Sequence, residues 1–344
     1  MPAPAYYSDL RARVAPGEVP DGAAEEIRDL YGSLFATVDW FVTHDDAVAM
    51  GTCTLEEPRH VVLFEMQGDT IEVLNKTFAI APEDVRRACE ALFRALPAAR
   101  RIHFEVMFPP RELRLPKRVL YWTDHMIVPL PASVEEYQEQ LGKSTRRNLR
   151  TYENRLRRDF PGLHTEVVVP GPDSRALVNL FLEWKTDRFG TLGRDTYWQK
   201  DPRLADRFVA LLQRCGEVHM TTLVDGPAAI VFAFPVGPAV CAQEAAFDTR
   251  YDYYHLGLLA WYWLACDAIA RGLSSMNLLW GTATYKRRLG AVPRRATTVS
   301  VFRHQTDRLY SLGEAREVVA LRLRRSKAYY WRARAYARRL VKGE

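Results

Sequence analysis

One carboxylate, Glu244, stands among small apolar residues in the run Val240-Cys241-Ala242-Gln243-Glu244-Ala245-Ala246-Phe247-Asp248. Burial in such company raises a carboxyl pKa; the plainer reading is an outward-facing strand charge. A few residues on, His255-Leu256-Gly257-Leu258 turns into a long apolar stretch. The first N–H groups of a helix form a phosphate site, and glycine lets a ligand approach the backbone closely. An ordinary strand-to-helix turn would read the same way. Further on, Tyr285-Lys286 lies inside the segment Gly281 to Gly290. The lysine could bind a phosphate or carboxylate, and the tyrosine could equally be a core residue of an amphipathic turn. The eight histidines show no H-x-x-x-H or H-E-x-x-H spacing, so no zinc site is expected. No G-x-S-x-G, G-x-x-x-x-G-K-[ST] or G-x-G-x-x-G pattern occurs.

Alternating and helical periods place these residues. In the second part of the chain, strands are expected at His164 to Val169, Val218 to Val224, Pro227 to Val236, Pro238 to Phe247, Ser274 to Trp280 and Thr297 to His304. Helices are expected at Ser174 to Phe189, Asp201 to Gly216, Leu256 to Arg271, with Gly272 closing it, and Thr282 to Leu289. Before them Ser133 and Glu136 form a helix-start pattern, and a basic helix runs from Ser144 to Phe160. The first part has a helix at Ala23 to Phe35 and strand-like material at Trp40-Phe41-Val42 and Ala47 to Leu55. A hairpin, Val61 to Gln67 with Thr70 to Lys76, turns at Gly68-Asp69. A helix at Pro82 to Leu96 and strands at Ile102 to Met107 and Met126 to Leu130 complete it. The order of elements restarts after Pro129-Leu130-Pro131, so two α/β units in tandem are expected: 1–131 and 132–311.

The chain has 344 residues, 48% hydrophobic and 26% charged, which is the composition of a globular protein. No apolar run reaches the ~18–20 residues of a membrane span, and Asp267 interrupts the longest, Leu256 to Ile269. The first residues show no secretory pattern, and five scattered cysteines without a C-x-x-C pair read as reduced thiols. A cytoplasmic location is therefore expected. The net charge of +6 is concentrated in Lys143 to Arg158 and Leu321 to Lys342, which suggests phosphate, nucleic acid or lipid headgroups as partners. The last segment, 312–344, reads as a basic amphipathic helix with Tyr329, Tyr330, Tyr336 and Leu340 on one face. It suits docking on the protein's own core, an anionic membrane surface on the inner face, or RNA.

Three local patterns carry a family resemblance: Lys143-Ser144-Thr145-Arg146-Arg147-Asn148-Leu149-Arg150, Tyr254-His255-Leu256-Gly257-Leu258-Leu259, and Gly281 to Gly290 with Tyr285-Lys286. Over residues 135 to 305 the chain resembles the GCN5-related N-acetyltransferase (GNAT) superfamily. More narrowly it resembles the CelD-like branch, with the tandem-fold FemABX aminoacyl-tRNA-dependent transferases as cousins. The branch usually has Pro where Leu256 stands and an acidic residue where Asn277 stands.

The resemblance implies two tandem GNAT-like α/β units, with mixed, mostly antiparallel central sheets flanked by helices, and the basic C-terminal helix after them. It implies an acyl-CoA co-substrate whose pyrophosphate lies at His255, Leu256, Gly257 and Leu258. Glu244 would be the base, with Asp248 as its alternative, and Tyr285 the acid. Trp184, Lys185 and Arg188 would face an anionic acceptor, together with Lys286 and Asn277. The helix-end charges Lys185 and Arg188 could instead simply complement the dipole. The implied function is acyl transfer to an amine of an envelope lipid such as a sphingoid-like base, an amino sugar or a polysaccharide precursor. Aminoacyl transfer from tRNA and a non-catalytic binding scaffold are the alternatives.

Overall fold

The structure, a computed structural model, describes residues 2–44, 50–108, 112–191, 196–199, 201, 203–309 and 319. The predicted basic helix at 312–344 lies outside the described residues except at Val319, as does the start of the strand expected from Ala47.

The first part runs β1 (Ala5–Tyr7), β2 (Ala12–Ala15), α1 (Ala23–Tyr31), α2 (Val38–His44), β3 (Gly51–Leu55), β4 (His60–Gln67), β5 (Thr70–Val73), α3 (Pro82–Ala95), β6 (Arg101–Met107) and β7 (Lys117–Pro129). The second runs α4 (Val134–Gln140), α5 (Lys143–Asp159), β8 (His164–Val168), α6 (Ser174–Thr191), α7 (Arg203–Cys215), β9 (Glu217–Leu223), β10 (Gly226–Val236), β11 (Ala239–Phe247), α8 (Leu256–Ala270), β12 (Ser275–Trp280), α9 (Thr284–Arg288) and β13 (Val292–Phe302).

Local chemistry explains most of these boundaries. Pro82 opens α3, with Glu83 and Asp84 in its first turn, where acids complement the dipole. The Ser133 hydroxyl accepts the Glu136 N–H at 3.1 Å to cap α4. Gly68, at φ 62°, makes the two-residue turn between β4 and β5.

The strands form one continuous sheet in the order β1-β2-β3-β4-β5-β6-β13-β7-β12-β11-β10-β9-β8. Neighbours are antiparallel except β5 with β6 and β11 with β12. Each parallel pair is bridged by a helix, α3 in the first part and α8 in the second, so both parts carry the same β-α-β unit. The last strands cross over. β7 follows β6 in the chain but pairs with β12, while β13 pairs with β6 and, along its length, with β7.

Alternation along β10 divides the second core. Ala229, Val231 and Ala233 pack under α4, α5 and α8, while Ile230, Phe232 and Phe234 pack on α6 and α7. Within the first of these layers α8 is apolar on nearly every side. In the first part, Val85, Ala88 and Leu92 of α3 cover β2 to β6.

Two sequence expectations need correction. Trp40-Phe41-Val42 is helical, within α2. The Thr37 hydroxyl accepts the Trp40 N–H at 3.3 Å and starts that helix, and Asp39 inside it receives Arg28 and Arg214. β7 and β13 also begin well before the expected Met126 and Thr297. The two strands pair antiparallel from Val292↔Ile127 to Val301↔Lys117, so the early half of each lies against the late half of the other, in stretches whose charges hide the alternation.

Candidate active site

β11 and β12 are paired only from Ala239↔Ser275 to Cys241↔Asn277. Beyond that register the two strands part, and Ala242 to Phe247 on one side and Leu278 to Trp280 on the other line a cavity of about 670 Å³. Two backbone irregularities accompany the divergence. The β10–β11 register slips at Gln243, because Ala233 faces Ala242 while Phe232 faces Glu244. Leu279 takes the left-handed φ of 58°, a conformation that costs energy for a leucine.

Glu244 reaches into this cavity from β11, and Lys185 comes from α6 to pair directly with its carboxylate. The side chains are 12% and 15% exposed. Trp184 lies beside the pair, buried, and Arg188 stacks its guanidinium 4.7 Å over the Phe247 ring. All four residues line the cavity with His255, Gly257, Leu258, Tyr285 and Lys286. The structure therefore brings together residues spread over a hundred positions of sequence.

The turn between β11 and α8 is built from Asp248. Its carboxylate accepts the Arg250 backbone N–H at 2.9 Å and the Arg250 guanidinium at 2.8 Å. Burial opposes its ionisation, but these donors outweigh burial and leave its pKa below the ordinary carboxylate value. Asp248 does not line the cavity, so the alternative base is instead a cap. His255 then takes the left-handed conformation, φ 52° and ψ 38°, and its ring lies tilted by 38° against Tyr152 of α5, with centroids 4.1 Å apart. Among the described residues no side chain caps α8; the His255 N–H donates to the Asp252 carbonyl and the Leu258 N–H to the His255 carbonyl, each at 2.9 Å, so the N–H groups of Leu256 and Gly257 are those left for a ligand at the cavity mouth. The Leu256 side chain is fully buried, and only its backbone can serve there. Gly257 is required by packing: a Cβ at that position would stand 2.6 Å from Cε1 of Phe247.

α9 supplies the other wall. The Tyr285 ring stacks on Trp261 with centroids 6.3 Å apart. The residue is 36% exposed, yet burial, reinforced by Glu244 and opposed by Arg188, pushes its pKa up to about 12. Lys286 is buried, at 6% exposure, and donates to the Trp280 carbonyl at 2.6 Å, tying α9 to the end of β12. Burial draws its pKa down to about 8, against the pull of Glu244. Asn277 points away from the cavity and donates to the Gly32 carbonyl at 2.8 Å. An acidic residue there would lack that donor, which accounts for the amide in this chain.

Sequence reasoning missed Gln243, Asp252, Trp261 and Arg288 in the lining. Trp261 lies one helical turn after Gly257, and Arg288 one turn after Tyr285, so helical spacing alone could have found them. Gln243 could not be found that way. Its bulge depends on pairing with β10, and its buried side-chain oxygen has no hydrogen-bond partner among the described residues.

Residues 143–287 match the family model described as acetyltransferase (GNAT) domain. No curated protein matches the chain. Among solved structures the chain is similar to FemX, at 10% identity and a TM-score of 0.60, covering 82% of this chain and 96% of that one. It is also similar to a conserved protein of unknown function from Bacteroides thetaiotaomicron, at 12% identity and a TM-score of 0.55, covering 88% and 100%. A third is the C-terminal domain of a putative lysylphosphatidylglycerol synthetase from Agrobacterium fabrum, at 14% identity and a TM-score of 0.51, covering 83% and 92%. At these identities the likeness is one of fold. The parted strands and the helix start between them lie inside the segment that matches the GNAT domain model, and the fold of the chain is similar to that of FemX.

Proposed function

We propose that the chain is an acyl-CoA-dependent N-acyltransferase acting on an amine of an envelope lipid, an amino sugar or a polysaccharide precursor. The observation that carries this reading is the opening between β11 and β12, with the uncapped start of α8 at its mouth and Glu244 inside it. A thioester lying along the parted strand would find N–H groups for its pyrophosphate and cations, Arg188 and Arg288, in the same lining.

In the reaction the acceptor nitrogen bonds to the thioester carbonyl carbon and the C–S bond breaks. Glu244 takes the proton released from nitrogen, and Lys185 orients its carboxylate. Tyr285, at about 12, lies above the ~8.5 of a free thiol. It therefore keeps its proton at neutral pH and donates a hydrogen bond to sulfur as charge grows there. The liberated thiolate equilibrates with water. Lys286 holds α9 against Trp280 and so fixes the Tyr285 ring. A segment 312–344 resting on an anionic membrane would keep the protein beside a lipid acceptor. No helix among the described residues is long and apolar enough to cross a membrane.

The test is a thermal-shift titration with acetyl-CoA, palmitoyl-CoA and free CoA, alongside a charged tRNA pool. A saturable rise with an acyl-CoA, as binding to the native state requires, supports the reading, and the preferred chain length separates sugar from lipid acceptors. No response to any CoA, with a salt-sensitive response to charged tRNA, replaces it with aminoacyl transfer.

A further inference from the structure

A second cleft, also of about 670 Å³, lies between α4, α5 and α8 and shares no residue with the transfer cavity. Lys143, Arg146, Arg147 and Arg150 of α5 line it, at spacings that put them on one helix face. They are exposed, and none has a carboxylate partner among the described residues. The one acid in the lining, Glu153, is already held by Arg157 at 2.8 Å. Gln138 and Tyr262 meet across the floor, with the Gln138 amide donating to the tyrosine oxygen at 2.6 Å.

The start of α5 makes the imbalance sharper. α3 and α4 begin with acids in their first turns, as the helix dipole favours. α5 begins with none and has no side-chain cap, while Lys143 stands in its first turn and Arg146 directly after it. Cations at the positive end of a helix, next to unsatisfied N–H groups, are unfavourable unless an anion lies between them.

We propose that this cleft is a binding site for a compact phosphate-bearing ligand, a diphosphate or phosphomonoester group, distinct from the transfer cavity. Guanidinium groups in a concave setting match phosphoryl oxygens by paired hydrogen bonds. The concavity, and Glu153 on its wall, favour a compact anion over an extended nucleic-acid backbone. The source of the phosphate is a soluble metabolite or a lipid headgroup. This inference does not depend on acyl-CoA being the donor.

The experiment measures inorganic pyrophosphate binding to the full chain by calorimetry, comparing wild type, the double variant Arg146→Gln/Arg150→Gln and the cavity variant Arg188→Gln. Parallel arms use vesicles of phosphatidic acid in phosphatidylcholine, and phosphatidylcholine alone. The arginines are exposed and unpaired, so the double variant should fold, and an unchanged CoA-induced thermal shift or melting curve checks this. Saturable pyrophosphate binding that weakens at least ~10-fold in the double variant and holds in Arg188→Gln supports a soluble ligand. Binding only to phosphatidic acid vesicles, with the same loss, supports a headgroup. Three results overturn the site: no binding to either probe, binding unaffected by the double substitution, or loss confined to Arg188→Gln. Capture of tRNA through Arg146 and Arg150 without any pyrophosphate binding also overturns it.

Discussion

The direct pairing of Lys185 with Glu244 sets a measurable coupling between α6 and β11. Two unit charges in contact attract by about 4 kcal/mol at an effective dielectric of 20, and removal from water offsets much of this. At 15% and 12% exposure the pair lies between surface pairs, worth ~0–1 kcal/mol, and fully buried ones, where removing one partner costs ~3–5 kcal/mol. Lys185→Met should cost about 2–3 kcal/mol by stranding a carboxylate. Glu244→Gln should cost about 1–2 kcal/mol, since the amide oxygen still accepts from the ammonium. The double variant should then cost about 1–2 kcal/mol less than their sum. Urea denaturation of the four proteins at pH 7 measures this, and raised salt should shrink the coupling only modestly because the pair is shielded from solvent. Effects that add to within ~0.5 kcal/mol would refute the reasoning. Turnover separates the roles: Glu244→Gln should lose ~10²–10⁴-fold, whereas Lys185→Met, which keeps the carboxylate, should lose less.

Three further expectations follow from the same geometry. Asn is as good a helix-start cap as Asp, so Asp248→Asn should leave turnover within about three-fold of wild type; a loss like that of Glu244→Gln would return Asp248 to the chemistry. Gly257→Ala drives a Cβ to 2.6 Å from the Phe247 ring, and should destabilise by about 1–2 kcal/mol net and weaken CoA binding, read by melting and titration. Burial holds His103 and His125 neutral, with pKa values lowered to about 4. Their depressed values mean that stability is intact above the unfolded ~6.5 and falls as pH drops towards 4, by up to about 2–3 kcal/mol per histidine at pH 4.5. Denaturation at pH 7 and 4.5 checks this, and His103→Gln should remove roughly half of the pH dependence; a flat profile would show that neither ring is held neutral.

Much of the second part of the chain was legible because its signals are local. The apolar run after Gly257, the small residues around Glu244 and the glycine-bounded segment holding Tyr285 each announce an element and a chemically unusual residue. What was not legible depends on distant partners. Nothing near Glu244 in sequence names Lys185, which comes from 59 positions away. Nothing near Asn277 announces Gly32, whose carbonyl it binds across 245 positions. Asp248 and Glu244 are four residues apart and both acidic, and only the turn geometry separates a cap from a cavity residue. Trp40-Phe41-Val42 misled because its β-branched and aromatic residues outweighed the Thr37 cap.

The crossing of β7 and β13 constrains how the molecule can be made. β6 ends at Met107, and the strand that covers its open edge begins at Val292, 185 positions later. At ~5–20 residues per second the nascent chain carries that edge uncovered for roughly 10–40 s of translation. β7, made next, can be closed only when both β12 and β13 have emerged. A ribosome that stops short of Val292 therefore releases a product with two unsatisfied strand edges, Ile102 to Met107 and the early half of β7, ready to pair with other chains. Completion of the last strand is thus also the step that ends the chain's exposure to aggregation.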